Sequence, residues 1–205
     1  MIKSYKVRLE PNKQQEQQMF SQAGCARYVY NWTIAFQKER YEKGEKFISA
    51  MGMSKYLTAH KKENVWLKDC DSMVLVTAYT DACTAFKNFF REVKKGNAKS
   101  YPRFKSKNKT TPAFAPNYQA IKISENQVKL PKIGIVKLSR KNYIPIVKKY
   151  SNPRVTYDGL HWYISVGVEQ EDYKPELNPT VLGVDLGIKD LAIVSDGTVY
   201  KNINK

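Results

Sequence analysis

The chain has 205 residues, 42% of them hydrophobic, and a formal net charge of +16. Length and apolar content exclude a disordered tail and allow one large domain or two small ones with a real core. The charge calls for an anionic partner. With no long apolar run, no signal peptide and no strongly basic amphipathic helix, nucleic acid is favoured over a membrane surface.

Residues Ile2 to Leu9 alternate, with Tyr5, Val7 and Leu9 on one face and Lys6 and Arg8 on the other. This predicts a half-buried strand with a basic outer face, to which Lys3 is also assigned. Pro11 ends the strand, and Asn12 with Gln15 three residues later makes a capping box for a helix. A break is expected near Gly24. The helix after it carries Cys25, Val29, Trp32 and Phe36 as one apolar stripe and ends near Gly44. Ser54 is expected to cap a short helix running through Lys62. Asp71 and Ser72 open the strongest helix, which places Leu75, Ala78, Ala82, Ala85, Phe86 and Phe89 on one face and stops at Gly96.

The next stretch is basic: Arg91, Lys94, Lys95, Lys99, Arg103, Lys105, Lys107 and Lys109, interleaved with Tyr101, Phe104 and Phe114. Charge joined to stacking surface points to nucleic acid. Lys99, Arg103, Lys105, Lys107 and Lys109 are the candidate phosphate contacts, with Tyr101 and Phe104 as stacking or positioning groups. The strand residues Lys3, Lys6 and Arg8 are the second candidate set.

From Ile121 to Val168 the pattern is short strands. Arg154 to Tyr157 pairs with Trp162 to Val168 through the turn residues Asp158 and Gly159. An antiparallel sheet or barrel is expected, completed by the first strand, with the helices inserted into it. Glu169 to Pro179 reads as a linker. Val181 to Leu186 opens a second unit, and Leu191 to Ser195 and Thr198 to Ile203 form a hairpin through Asp196 and Gly197.

One acid stands inside that apolar run. Gly183, Asp185 and Gly187 share a strand face, so a metal ion and a nucleic-acid backbone can approach the carboxylate, while Val184 and Leu186 are expected to pack into a core. Asp185 is the candidate catalytic residue. The cysteines, Cys25, Cys70 and Cys83, form no C-x-x-C pair. They are expected to be small reduced core residues rather than zinc ligands or a disulfide framework. His60 lies among lysines and is expected at solvent; His161 is expected to be structural.

Several stretches, in order, resemble the TnpB family of insertion-sequence proteins. They are Ile2 to Pro11, the helical Gly24-Cys25-Ala26-Arg27-Tyr28-Val29-Tyr30-Asn31, and Trp66-Leu67 with Asp71-Ser72 and Ala85 to Phe90. Tyr101-Pro102-Arg103-Phe104-Lys105-Ser106-Lys107 and Gly183-Val184-Asp185-Leu186-Gly187-Ile188-Lys189-Asp190 complete the set. The resemblance implies an α+β chain. A wedge-like antiparallel β-barrel (residues 1–10 and 97–172) would carry an inserted helical recognition lobe (11–96). The first strands of an RNase H-like (RuvC) domain (180–205) would follow.

It also implies an RNA-guided DNA endonuclease, with a guide RNA from the transposon end and double-stranded target DNA as partners, in the bacterial cytoplasm at the nucleoid. The family's Asp, Glu and Asp hold two divalent ions, Mg²⁺ or Mn²⁺. Asp185 matches the first. Asp190 matches a non-catalytic position, and Asp196 belongs to a turn. The later acids and a zinc-binding four-cysteine ribbon are expected beyond Lys205, so zinc is expected only there and independent cleavage is not expected. The alternative is a truncated, nuclease-inactive RNA- or DNA-binding module or regulator.

Overall fold

The computed structural model describes residues 1–97, 101–171 and 181–203. The chain forms two compact units, Met1–Gln170 and Glu171–Lys205. From residue 172 to residue 179 the expected linker lies outside the described residues.

The first unit begins with β1 (Ile2–Glu10) and continues through α1 (Lys13–Glu42), α2 (Ala50–Glu63), a 3-10 turn (Val65–Asp69) and α3 (Ser72–Lys94). Then come β2 (Ala113–Phe114), β3 (Lys122–Ser124), β4 (Gln127–Leu130), β5 (Gly134–Leu138), β6 (Ser151–Tyr157) and β7 (Trp162–Glu169). These strands make one seven-stranded sheet in the order β2-β6-β7-β1-β5-β4-β3, antiparallel throughout. The first strand of the chain is thus central, pairing along its length with β7 and at its end with β5.

Alternation decides which face is buried. Val7, Leu9, Val128, Leu130, Val136, Leu138, Val155, Trp162, Ile164, Val166 and Val168 all point into one core. Met19 and Ala23 of α1 and Val74 of α3 join that core. The expected barrel is not formed: among the described residues β2 and β3 remain unpaired edges of an open sheet. Both edges are short, of two and three residues. The helices, not a closing strand pair, cover part of the core that the sheet leaves open.

The Asn12–Gln15 capping box forms as expected. The break at Gly24 does not: α1 is a single 30-residue helix. An interior glycine costs about 1 kcal/mol relative to alanine. Here the turns on both sides are anchored, Met19 and Ala23 in the sheet core and Cys25, Val29 and Ile34 in a second core. That second core also takes Met53, Leu57, Leu67, Leu75, Ala82 and Phe86. α2 starts after Ser49, so Ser54 lies inside it rather than capping it.

Asp71 caps α3 by accepting from Met73 N at 3.0 Å. Its other oxygen accepts from Asn117 N at 2.9 Å, and its own N–H donates to Gln22 Oε1 at 3.0 Å. One buried carboxylate therefore ties the bundle to the segment that leads into the sheet.

Two expectations are corrected in the bundle. Cys25 and Cys70 are joined by a disulfide, with Cα atoms 6.8 Å apart, because α1 and the residue before the α3 cap are packed side by side. Cys83 stays free and buried. His60 does not face open solvent. It stacks on Trp32 with ring centroids 4.4 Å apart, and its Nε2 lies 3.0 Å from the Tyr28 hydroxyl. Burial lowers its pKa.

The second unit holds β8 (Val184–Leu186), β9 (Asp190–Val194) and β10 (Val199–Lys201) in a three-stranded antiparallel meander, order β10-β9-β8. Gly197, at φ +88°, makes the expected β9–β10 turn. Val184 and Leu186 are 59% and 75% exposed, so the apolar face expected to enter a core is uncovered among the described residues. No helix among the described residues is long and apolar enough to cross a membrane.

Candidate nucleic-acid interface and the Asp185 strand

The face of the large sheet opposite its core carries the positive charge. Along β1, Lys6 and Arg8 alternate with the buried Val7 and Leu9. Register sets Arg8 opposite Tyr163 and Lys6 opposite Ser165. The Lys6 ammonium sits 4.8 Å from the Tyr163 ring centroid. An exposed contact of this kind contributes about 0.5–1 kcal/mol. The Tyr163 hydroxyl hydrogen-bonds to Asp158, which raises the Tyr163 pKa. Asp158 is held below the usual carboxylate range by the backbone N–H groups of His161, at 2.7 Å, and Leu160, at 2.9 Å, with a smaller contribution from Tyr163. Arg8 lies 3.3 Å from His161 Nε2 and 3.2 Å from Glu10 Oε1. Lys6, Arg8, Ser139, Arg140 and Tyr163 line an open groove.

The charge continues across the sheet. Lys122, Lys129 and Lys137 are exposed while their neighbours Ile123, Val128, Leu130, Val136 and Leu138 are buried. Lys122 lies directly opposite Lys129 in the β3–β4 register. Like charges facing each other across a ladder destabilise it, a cost that an anion on this face would relieve. Glu10, opposite Lys137, is the acid among them.

Lys3 does not belong to this face. It has the parity of Tyr5 and Val7, pairs with the buried Val168, and its ammonium lies 5.5 Å from the Tyr5 ring. The parity was readable in the sequence; position next to Lys6 and Arg8 was not enough.

The other candidate set divides. Lys99 lies outside the described residues. Tyr101 packs edge-on against Phe86 and Phe89, with centroids 5.8 and 5.2 Å apart. Asn31 grips the main chain of Lys105 from both sides, accepting from its N–H at 2.8 Å and donating to its carbonyl at 2.9 Å. The Lys105 ammonium lies 3.8 Å from the Tyr30 centroid, and burial lowers its pKa. These side chains are turned onto the bundle. Arg103, Lys107 and Lys109 are exposed, and Phe104 is 59% exposed. Sequence reading missed Tyr163, Arg140, Lys122, Lys129 and Lys137; all but Arg140 lie in strands whose period-two pattern places them outward.

Asp185 is exposed on the edge strand β8, opposite Ile193. Gly183 and Ser195 are joined by Gly183 N to Ser195 Oγ, 3.0 Å, and Ser195 N to Gly183 O, 2.8 Å. A Cβ at Gly187 would meet the Asp190 carbonyl at 3.0 Å, so glycine here permits the close backbone approach of the turn into β9. Asp190 is paired with Lys201 at 2.9 Å, and Asp196 accepts from Thr198 N in its own turn. Among the described residues no three His, Cys, Asp or Glu side chains come together to hold a metal ion. These residues do not fit a complete two-metal centre.

Residues 1–46 match the helix-turn-helix domain family HTH_OrfB_IS605. In this chain that stretch folds as β1 and the uninterrupted α1, with α2 starting only at Ala50. The InsQ protein of Escherichia coli (strain K12), whose name assigns it provisionally to RNA-guided DNA endonucleases, is 32% identical over 99% of this chain and 50% of its own length. A Streptomyces pristinaespiralis protein named in the same way is 26% identical over 98% of this chain and 50% of its own length. Among solved structures, one in a cryo-EM Cas12f1–sgRNA–target DNA complex is similar at a TM-score of 0.44 and 15% identity, covering 98% of this chain and 56% of that one. The chain spans about half the length of the curated relatives it matches. The OrfB-type match at its start and the InsQ similarity along nearly its whole length support a TnpB-family protein.

Proposed function

We propose that this chain is a nucleic-acid-holding part of an RNA-guided DNA endonuclease, gripping guide RNA and target DNA through the phosphate backbone. The observation that carries this is the outer sheet face. Lys6, Arg8 and Arg140 gather there beside the Tyr163 ring and Lys122, Lys129 and Lys137 continue across the sheet, with Glu10 and Asp158 as the nearby acids. Spaced cations on a rigid sheet suit recognition of backbone shape, the task left to the protein when base pairing reads sequence. Exposed Arg103, Phe104, Lys107 and Lys109 on the bundle side offer a second set of contacts, with Phe104 available to stack on a base. In family terms, residues 1–10 and 97–172 act as the wedge and 11–96 as the recognition lobe, although helices and sheet share one core. The guide originates at a transposon end.

Asp185 supplies one oxygen ligand to a Mg²⁺ or Mn²⁺ centre of the RuvC type, and the meander of β8 to β10 opens an RNase H-like fold. The exposed carboxylate flanked by Gly183 and Gly187 supports this assignment. The lone acid also favours a second reading, in which the chain binds RNA or DNA as a nuclease-inactive module or regulator.

The test is fluorescence anisotropy of the 205-residue chain with a structured RNA and with duplex DNA. Saturable binding that weakens steeply with salt is expected; absence of binding at low salt refutes the proposal. A cleavage assay addresses Asp185. With Mg²⁺, guide RNA and target, the chain alone is expected not to cut. When the other acids of such a centre are supplied in the same polypeptide, Asp185→Ala is expected to abolish cutting. Cutting by that variant at the wild-type rate contradicts the assignment.

A further inference from the structure

A second basic feature lies at the junction of the helices and the sheet. A small cavity, about 60 Å³, sits where α1, α3, the 105–115 segment and β6 come together. Arg27, Lys105 and Arg154 bring three cations to its wall, Asp81 brings a carboxylate, and Thr110 and Thr111 add hydroxyl groups. The charges do not cancel. Asp81 is engaged by Arg154 at 3.5 Å. Lys105 is half-buried, and Arg27 is half-buried with no hydrogen bond or ion pair among the described residues.

Arg27 has no counter-charge among the described residues, and Lys105 shares the single carboxylate of Asp81 with Arg154. Half-buried cations so under-compensated are costly, and an anion removes the cost. The volume is far below the ~300–1,000 Å³ of pockets for drug-sized ligands, so the occupant is a small oxyanion and not a nucleoside. Guanidinium forks with an ammonium point charge are the groups that hold phosphate. The cavity also adjoins the sheet face. Arg154 pairs across the ladder with Ser165, and Ser165 with Lys6, so Arg154 and Lys6 stand in one row two strand spacings apart, about 10 Å.

We infer that the cavity between Arg27, Lys105 and Arg154 seats one backbone phosphate of a nucleic-acid strand whose neighbouring phosphates run along the Lys6 row. The source of the phosphate rests on the proposed nucleic-acid function; the anion chemistry of the cavity does not. Asp81 competes with the phosphate for Arg154. Removing that carboxylate and removing Arg27 therefore act in opposite directions, which a purely structural role of these residues does not produce.

The test has two arms on the full 205-residue chain. Thermal unfolding is compared in inorganic phosphate and in chloride at equal ionic strength and pH. Phosphate is expected to raise the wild-type Tm by a few degrees, and Arg27→Gln to lose that increment. Anisotropy with a labelled single-stranded RNA is then measured over a salt series. Arg27→Gln is expected to weaken binding about five- to tenfold and flatten the slope of log K against log salt by about one. Asp81→Asn is expected to tighten binding; it also keeps the inference testable if Arg27→Gln fails to fold.

An equal phosphate increment in wild type and Arg27→Gln overturns the seat. An Arg27-dependent phosphate increment with unchanged RNA affinity in both variants means the site takes free anion only and overturns the strand assignment. If wild type binds no RNA, the nucleic-acid reading fails, and the thermal arm still decides whether the anion seat exists.

Discussion

Two lysine-rich regions of this chain have opposite surroundings. The segment from Tyr101 to Lys109 is dense in charge along the sequence, yet its middle is gripped by Asn31, its Tyr101 ring is packed on Phe86 and Phe89, and its Lys105 is turned into a cavity. The outer face of the sheet draws its cations from β1, β3, β4 and β5, far apart in sequence, and leaves them open. Local density of charge therefore says less about a binding surface than strand register does. A run of cations can lose a member inward, as it does at Lys105, whereas alternation on a sheet with one buried face leaves no inward option.

The largest expected effect breaks the sheet side of this contrast. Reversing both open cations, Lys6→Glu with Arg8→Glu, is expected to weaken nucleic-acid binding on the order of 100-fold at low salt, about 2.8 kcal/mol, with thermal stability little changed. Electrophoretic or anisotropy titration checks it.

Next comes Asn31→Ala. It strands the N–H and carbonyl of Lys105 and is expected to cost about 2 kcal/mol by chemical denaturation. Proteolysis should then cut first between residues 101 and 109.

Tyr101→Ala removes a ring packed against two phenylalanines and is expected to cost about 1–2 kcal/mol of stability while changing affinity less than twofold. A large loss of affinity with unchanged stability would make Tyr101 a stacking group after all.

The smallest effect is that of Lys107→Gln with Lys109→Gln. Both are exposed, and the pair is expected to lower affinity only about twofold, visible as a slightly flatter salt dependence.

Much of the fold was legible. The Asn12 capping box, the Asp71 cap, the Gly96 stop and the alternation of Trp162, Ile164, Val166 and Val168 are local signals, and all form. What was not legible depends on packing. Gly24 reads as a break, but anchoring in two different cores carries α1 through it. Closure into a barrel is a property of the two edges, β2 and β3, and strand pattern alone does not reveal whether they meet. The Cys25–Cys70 pair is separated by 45 residues and brought together by the bundle. At the site, the outward places of Lys6 and Arg8 were read correctly; parity also puts Tyr163 on that face and takes Lys3 off it, and neither was read from the sequence. The inward turn of Lys105 did not, because it rests on an asparagine 74 residues earlier.

The measurement closest to the central claim is the slope of log K against log salt for RNA binding by wild type and by Lys6→Gln with Arg8→Gln. If the outer sheet face holds phosphates, the double variant binds more weakly and its slope is flatter by about two. The same slope and affinity in both proteins would contradict the account.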